Sequence, residues 1–209
     1  MKLTGLCLFI CLLGIASCKK KELSFTFKGK VTAAYTNQGL EGVQIYIYAS
    51  NLANNTSKSA TAYTNANGEY EIVLERLKFD KVSIEASKNL HFSEKKLIKF
   101  DDLSTQNDNI VNFTMNAKAW ARITAQNLND PQPGDNFKIL KLGGKVDCEE
   151  CSPNGKYTFW YDAFNSSYIF INDGQTYFKY YYWYNDTVVH GLDSILTTPF
   201  DTITKTYTF

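Results

Sequence analysis

The sequence lacks most of the features that mark nucleic-acid-binding proteins and common enzymes. Lysine and arginine together number 22 against 21 acidic residues, so the formal net charge is only +1, with no basic excess for a phosphate backbone. The two histidines, His91 and His190, have no second histidine or cysteine at metal-ligand spacing. No glycine-rich phosphate loop and no G-x-S-x-G nucleophile elbow occur. We therefore expect a non-enzymatic protein that binds no nucleic acid, metal or cofactor.

The composition also excludes a disordered chain. The 209 residues are 44% hydrophobic and 15% aromatic, whereas disordered chains are poor in both classes. A chain of this length forms one or two domains.

The N-terminal segment has the pattern of an export signal. Met1 and Lys2 give a positive start, and an apolar run from Leu3 to Gly14 follows. This run is too short to span the ~30 Å hydrocarbon core of a bilayer, which needs about 20 residues. It is typical of a secretory signal peptide, which we assign to residues 1–17.

The end of this segment, Ile15-Ala16-Ser17-Cys18, resembles the lipobox of bacterial lipoproteins. The resemblance implies cleavage before Cys18, transfer of a diacylglycerol to its thiol and acylation of the new amine. Several acyl chains anchor a protein more firmly than one, because each buried methylene contributes about 0.8 kcal/mol. A plain signal peptide with a chance cysteine is the alternative.

Residues 18–23 form the expected lipid-bearing tether. The lysines Lys19, Lys20 and Lys21 either stay solvated or add attraction to anionic headgroups, at about 1 kcal/mol each. Lipoproteins retained in the inner membrane often carry Asp after the lipidated cysteine, and here that position is Lys19. The resemblance therefore implies lipid anchoring at the outer membrane, facing either the periplasm or the cell surface.

Five short segments of the first half alternate between apolar and polar residues. They are Phe25–Val31, Val43–Ile47, Tyr70–Leu74, Val82–Ala86 and Val111–Met115. Such alternation predicts half-buried antiparallel strands, and turns rich in Asn and Gly separate several of them. The pattern predicts a β-sandwich over residues 24–117.

Three motifs in this half resemble the carboxypeptidase regulatory-like domain. They are Gly29-Lys30-Val31, Leu40-Glu41-Gly42-Val43-Gln44-Ile45 and Thr64-Asn65-Ala66-Asn67-Gly68-Glu69-Tyr70-Glu71-Ile72. The resemblance implies a transthyretin-like, seven-stranded Greek-key sandwich that serves as an accessory module or stalk, without catalytic residues. In the last motif Gly68 can adopt the positive φ of a turn. Two positions depart from the family, with Gly39 in place of the usual Pro and Asn65 in place of a common Asp.

The second half, residues 118–209, predicts another β-sandwich of similar size. Residues 118–128 could form a helix, but Ala121, Ile123 and Ala125 alternate with polar residues and a Pro/Gly loop follows. We therefore predict a strand there. Further strands are expected at Phe137–Leu142, Lys156–Asp162, Tyr168–Asn172, Gln175–Tyr184, Val188–His190 and Ile203–Phe209. The predicted fold is all-β, with two tandem β-sandwich domains.

Aromatic residues are concentrated in the second half, where they occupy 14 of the 28 positions from Tyr157 to Tyr184. Alternation places Tyr177, Tyr181 and Trp183 on one strand face together with a lysine, so we expect that face to be partly exposed. Planar amphipathic rings on an open sheet suit sugar rings or a protein partner. Alternatively, these residues are simply strand formers, and the extra face packs on the first domain.

The motif Cys148-Glu149-Glu150-Cys151 has the spacing of a local cysteine pair. In an oxidising compartment the two thiols can form a disulfide. No further ligand completes a zinc site, and redox enzymes place such a pair at the start of a helix. A disulfide, two free thiols, and a metal or redox role are the alternatives that the sequence leaves open.

Together these patterns predict a non-enzymatic cell-envelope lipoprotein. It would act as a binding, adhesion or spacer module that contacts carbohydrate or an envelope protein through its second domain. The alternative is a structural or accessory subunit of an outer-membrane protein complex, with the aromatic residues buried against its partner.

Overall fold

The computed structural model describes residues 23–51, 53, 55–128, 132, 134–161, 165–185 and 189–208. Within these ranges the chain forms β-strands and a single 3-10 turn at Phe100–Asp102, and no helix there is long and apolar enough to cross a membrane. The predicted all-β fold class is therefore confirmed. The signal peptide, Cys18 and all of the tether except Leu23 lie outside the described residues.

The first sandwich is built from two sheets. Its strands are β1 (Ser24–Ala33), β2 (Gln44–Asn51), β3 (Thr56–Tyr63), β4 (Glu69–Glu75), β5 (Lys81–Ser87), β6 (Glu94–Lys99), β7 (Asn109–Ile110) and β8 (Phe113–Met115). One sheet has the order β4-β1-β7, with β8 also pairing with β1, and the other has the order β3-β2-β5-β6.

The alternation seen in the sequence produces the first core. Phe27 on β1 lies opposite Ile72 on β4, and Ile47 on β2 lies opposite Ile84 on β5. All four side chains are buried between the two sheets. Removing each such side chain from water contributes about 1.5–3 kcal/mol, so this apolar layer holds the two sheets together.

The turn between β3 and β4 belongs to the last of the three family-like motifs. Gly68 has a φ of +78°, and a Cβ there would lie 2.3 Å from the carbonyl oxygen of Val31, so glycine is required. The side-chain oxygen of Asn65 accepts hydrogen bonds from the N–H groups of Asn67 and Glu69, each at 2.9 Å. Asn65 thus organises the turn with its side-chain oxygen. The family assignment itself stays a prediction.

The second sandwich also has two sheets. Its strands are β9 (Lys118–Gln126), β10 (Asn136–Gly143), β11 (Tyr157–Tyr161), β12 (Asn165–Asp173), β13 (Tyr177–Tyr184), β14 (Val189–Leu196) and β15 (Thr202–Thr208). The sheet orders are β11-β10-β13-β14 and β12-β9-β15. Residues 118–126 are a strand, as the alternation predicted, and not a helix.

The second core contains a polar network as well as apolar side chains such as Phe137. The hydroxyl oxygens of Tyr180 and Tyr207 lie 2.7 Å apart, and the Tyr207 hydroxyl donates to Oδ2 of Asp193 at 2.6 Å. Nζ of Lys205 lies 2.9 Å from the same carboxylate oxygen. Because Tyr180 and Asp193 belong to one sheet and the other two residues to β15, the network joins the two sheets.

The two sandwiches meet at Lys118. Its N–H donates to the carbonyl of Leu90, and its own carbonyl accepts from the N–H of Phe200, both at 2.8 Å. Leu90 and Phe200 have positive φ values of +60° and +65°, a conformation that is costly for bulky residues. The ring of Phe200 packs against His91, with 5.2 Å between ring centroids. The junction is therefore formed by specific contacts.

Candidate binding face

The outer face of the β11-β10-β13-β14 sheet carries the aromatic residues that the sequence singled out. Alternation along β13 turns Phe178 and Tyr180 into the core and directs their neighbours outward. We call the outward set the aromatic face. It consists of Lys138, Leu140, Tyr157, Tyr177, Lys179, Tyr181, Trp183, His190, Leu192, Ser194 and Leu196.

Strand register arranges the centre of this face in rows. Trp183 lies between Lys138 on β10 and His190 on β14. In the next row Tyr181 lies between Leu140 and Leu192. Paired side chains on adjacent strands have Cβ atoms about 4.5–5.5 Å apart, so the rows form one continuous surface.

Trp183 is the centre of a ring cluster. Its ring centroid lies 4.5 Å from that of Tyr181 and 5.9 Å from that of Tyr157. The ammonium group of Lys138 lies 5.4 Å from the Trp183 centroid, within the range of a cation–π contact. His190 stacks on Tyr181 with 6.0 Å between centroids. These contacts orient the rings in the protein alone.

The aromatic face is open to solvent. The exposed fractions are 47% for Tyr157, 52% for Tyr177 and 70% for Leu192. Tyr181 and Trp183 are half-buried, so neither is enclosed within the chain. The three residues singled out in the sequence therefore have accessible ring surface.

A groove of about 640 Å³ borders the aromatic face at Tyr177 and Lys179. Its lining also includes Lys145, Asp147 and Asp173. Burial raises the pKa of the Asp173 carboxyl, while the charge of Lys145 opposes that shift. Nζ of Lys145 lies 3.9 Å from Oδ1 of Asp173. The face thus ends at a boundary of mixed charge.

The cysteine pair lies apart from the aromatic face, in the loop that follows β10. Cys148 and Cys151 are joined in a disulfide, and Cys148 lines a cleft of about 520 Å³ together with His91 and Lys118. Nζ of Lys118 donates to Oε1 of Glu150 in this loop at 2.6 Å. Residues 144–156 form no helix, so the pair lacks the helix N-terminus that activates redox cysteines.

The two histidines have separate environments. His91 is buried at the junction, where Nδ1 lies 3.0 Å from the carbonyl oxygen of Asn89, and burial lowers its pKa. His190 is exposed on the aromatic face. In the described part of the chain, no group of three or more His, Cys, Asp or Glu side chains could hold a metal ion.

Several members of the aromatic face were not predicted from the sequence. Lys138 and Leu140 come from β10, which pairs with β13 across a long sequence separation, and His190 and Leu192 come from β14, the strand that follows β13 directly. Alternation along each strand gives the side of a residue but not its neighbours on the next strand. For these four residues, alternation along the strand could therefore predict only that their side chains face outward.

No family model and no curated protein matches this chain. Similar solved structures include the Streptococcal ancillary pilin, with a TM-score of 0.39 and 12% identity, covering 89% of this chain and 63% of that one. The Bacillus anthracis TIE protein has a TM-score of 0.36 and 11% identity, with 89% and 34% covered. The shaft pilin spaA from Lactobacillus rhamnosus GG has a TM-score of 0.35 and 10% identity, with 88% and 97% covered. The chain spans less than two thirds of the first two proteins, and similarity this distant assigns no function.

Proposed function

We propose that this chain is a non-enzymatic lipoprotein of the cell envelope that binds carbohydrate on the aromatic face of its second sandwich. The observation that carries the binding role is the pre-oriented ring cluster formed by the exposed Tyr157 and the half-buried Tyr181 and Trp183. Aromatic rings of this kind offer an apolar surface to a sugar ring, and the tyrosine hydroxyls offer hydrogen bonds at its edge. The first sandwich then acts as a spacer between the lipid on Cys18 and the binding face.

The outer face of the first sandwich provides a contrast that supports this assignment. Tyr46 and Tyr48 on β2 are 39% and 40% exposed. Tyr46 lies between Thr61 and Glu85 on the neighbouring strands, so polar residues flank it. The two sandwiches therefore differ in the clustering of their exposed rings and not merely in having them.

A glycan array tests the carbohydrate role. The full chain in detergent is compared with Trp183→Ala, which removes the centre of the ring cluster and is expected to weaken binding by about fivefold or more, as loss of an interface anchor does. The matched control is the double variant Tyr46→Ala and Tyr48→Ala, which should bind like the wild type. Equal binding by wild type and Trp183→Ala would exclude the proposed carbohydrate site.

Membrane fractionation tests the anchor. Cys18→Ser removes the thiol that would take the diacylglycerol, so the protein should move from the membrane fraction to the soluble fraction. Cys7→Ser lies within the expected signal peptide and should leave the protein with the membrane. Unchanged membrane association of Cys18→Ser would contradict the lipid assignment.

A second candidate function is that of an accessory subunit of an outer-membrane protein complex. The observation that favours it is Leu192, whose aliphatic side chain is 70% exposed beside Tyr181, because exposed apolar surface commonly marks a protein interface. Leu192→Asp should then disrupt a defined complex detected by cross-linking in cells. Loss of the complex with unchanged glycan binding would favour this second function.

A further inference from the structure

His91 places a buried imidazole at the junction of the two sandwiches. Its exposed fraction is only 6%, and its ring packs against Phe200 of the second sandwich. Phe200 also contacts the ring of Tyr35, with 6.1 Å between ring centroids. Phe200 therefore lies against two aromatic side chains of the first sandwich, and it covers the imidazole only while the two sandwiches stay together.

The hydrogen bond of Nδ1 fixes the tautomer of the neutral His91 ring. Nδ1 lies 3.0 Å from the carbonyl oxygen of Asn89, and a carbonyl oxygen can only accept, so Nδ1 carries the proton. Nε2 is then an unprotonated acceptor, and it is buried without a hydrogen-bond partner among the described residues. A second proton would turn Nε2 into a charged donor that is enclosed without an acceptor, which is a costly state for a buried group.

The charged groups around His91 leave Nε2 without a partner. Burial lowers the pKa of the imidazole, and the positive charge of Lys88 adds to that shift, while the hydrogen bond to Asn89 opposes it. The other charged residues of the adjoining cleft and turn are Glu94, Lys118, Lys145, Asp147, Glu149, Glu150 and Asp201. None of them bonds to Nε2 in the described part of the chain, so no carboxylate contacts the imidazolium that would form.

The junction also holds two bulky residues in a strained backbone conformation. Leu90 and Phe200 have positive φ values, and both take part in the hydrogen bonds that join the sandwiches through Lys118. A bulky residue keeps such a conformation only while its surroundings enforce it. Separation of the sandwiches would release this strain, which lowers the cost of opening the junction.

We infer that protonation of His91 opens the junction between the two sandwiches, so that mild acid converts the junction into a hinge. In the open state Phe200 leaves the imidazole, and the protonated Nε2 donates to water. Because the imidazole pKa is lower in the closed state, opening takes up a proton, and falling pH favours the open state from about pH 6.5 downward. His91 and Phe200 lie outside the aromatic face, so this property does not depend on the ligand of that face.

Hydrogen exchange of the full chain in detergent, compared at pH 7.5 and pH 5, tests the hinge. The N–H groups of Lys118 and Phe200 form the junction hydrogen bonds. At pH 5, after correction for the intrinsic exchange rate, their protection should be about tenfold lower, the factor that corresponds to one unpaired buried donor. The N–H group of Ile47, on a strand of the first core that is paired on both sides, should keep its protection.

Two histidine variants separate the hinge from a general effect of acid. His91→Gln has no group that titrates in this range, so its junction N–H groups should be equally protected at both pH values. His190→Gln removes the exposed histidine of the aromatic face and should respond to pH like the wild type. Equal protection of the wild type at pH 7.5 and pH 5, or the same loss of protection in His91→Gln, would overturn the inference.

Nitrogen NMR of the wild type provides a measurement that needs no variant. At pH 7.5 the His91 ring should carry its proton on Nδ1, and Nε2 should have the chemical shift of an unprotonated nitrogen. On titration, His91 should gain its second proton over the same pH range in which the N–H groups of Lys118 and Phe200 lose protection. A proton on Nε2 at pH 7.5, or protonation of His91 while the junction stays closed, would contradict the inference.

Discussion

The two sandwiches share a two-sheet architecture but differ in where they place polar groups and clustered aromatic rings. In the first, Phe25 and Phe27 fill the core, and the outward positions are mostly polar. In the second, Tyr180 and Tyr207 bring hydroxyl groups between the sheets, and Trp183 lies on the outer face. The core of the second sandwich is therefore held together partly by hydrogen bonds, while several of its aromatic rings lie on the outer face.

This difference has an energetic consequence. An apolar core loses stability in proportion to the volume removed from it. A buried polar network is sensitive to a single missing partner, because the groups left behind lose their hydrogen bonds without regaining water. The first sandwich should therefore respond mainly to changes of side-chain size, and the second to changes of hydrogen bonding and charge.

Truncation of a core phenylalanine tests the apolar core assigned to the first sandwich. Phe27→Ala removes a fully buried ring and should lower the free energy of unfolding by about 3–5 kcal/mol, as truncation of a core phenylalanine does. Denaturant unfolding followed by circular dichroism measures the change. Val73→Ala, at a position that is 53% exposed on β4, is the control and should change stability by no more than about 0.5 kcal/mol. Similar losses in both variants would contradict the assigned core.

The first sandwich could be predicted from the sequence wherever one strand face is buried and the other is not. The segment Tyr70–Leu74 shows this pattern, and every second residue of β4 is buried. The strand β3 (Thr56–Tyr63) could not be found in this way, because none of its residues is fully buried and its polar sequence carries no alternation. Such edge strands are defined by pairing with a neighbour, which local periodicity does not encode.

The candidate site was only partly predictable for a related reason. The parity of β13 identified Tyr181 and Trp183 as neighbours on one face, and both lie there. Their contacts depend on strand register, with Lys138 on β10, which is far from β13 in the sequence, and with His190 on β14, which follows β13 directly. The polar network around Asp193 was missed as well, because a charged residue in an alternating strand is ordinarily expected to face solvent.

Loss of the disulfide between Cys148 and Cys151 in the second sandwich should lower stability by a smaller amount. The double variant Cys148→Ser and Cys151→Ser should lower the free energy of unfolding by about 2 kcal/mol, the chain-entropy value for so short a loop. Thermal unfolding with and without reductant measures it. Wild type should lose the same amount when reduced, while the double variant should not respond to reductant. An equal response of both proteins would show that the pair is not a disulfide in solution.

The polar network of the second core should make stability depend on pH through the carboxylate of Asp193. Desolvation alone would raise the pKa of Asp193, but hydrogen bonds from Tyr207, Lys205 and the Ser194 N–H outweigh it and hold the pKa below its ordinary value. A carboxyl with a lowered pKa in the folded state adds stability above its unfolded pKa of about 3.9, and that stability is lost as the pH falls through the folded value.

Asp193→Asn should therefore cost about 1.5 kcal/mol at pH 7, the lower end of the range for a hydrogen bond to a charged group, because Asp193 and Lys205 are partly exposed. The difference from wild type should shrink as the pH falls below about 4, where the wild-type carboxyl becomes protonated. Urea unfolding at pH 7 and pH 3 gives both values. Asp102→Asn, at an exposed position in the 3-10 turn, is the control. A difference that stayed constant with pH would show that the charge of Asp193 does not support the fold.

The ion pair between Lys118 and Glu150 tests whether the two sandwiches unfold as separate units, and we expect its effect to be small. Lys118 at the junction pairs with Glu150 in the disulfide loop at 2.6 Å, and its ammonium group also lies 5.5 Å from the ring centroid of Phe92 in the first sandwich. A double-mutant cycle with Lys118→Gln and Glu150→Gln should give a coupling energy of about 0.5 kcal/mol, because Glu150 is largely exposed and such pairs are weak. If instead the coupling exceeded that of an exposed pair several-fold, the junction would contribute to the stability of both sandwiches. The contrast between an apolar and a polar core would then describe two parts of one cooperative unit, and the losses predicted for Phe27→Ala and Asp193→Asn would appear in a single unfolding transition.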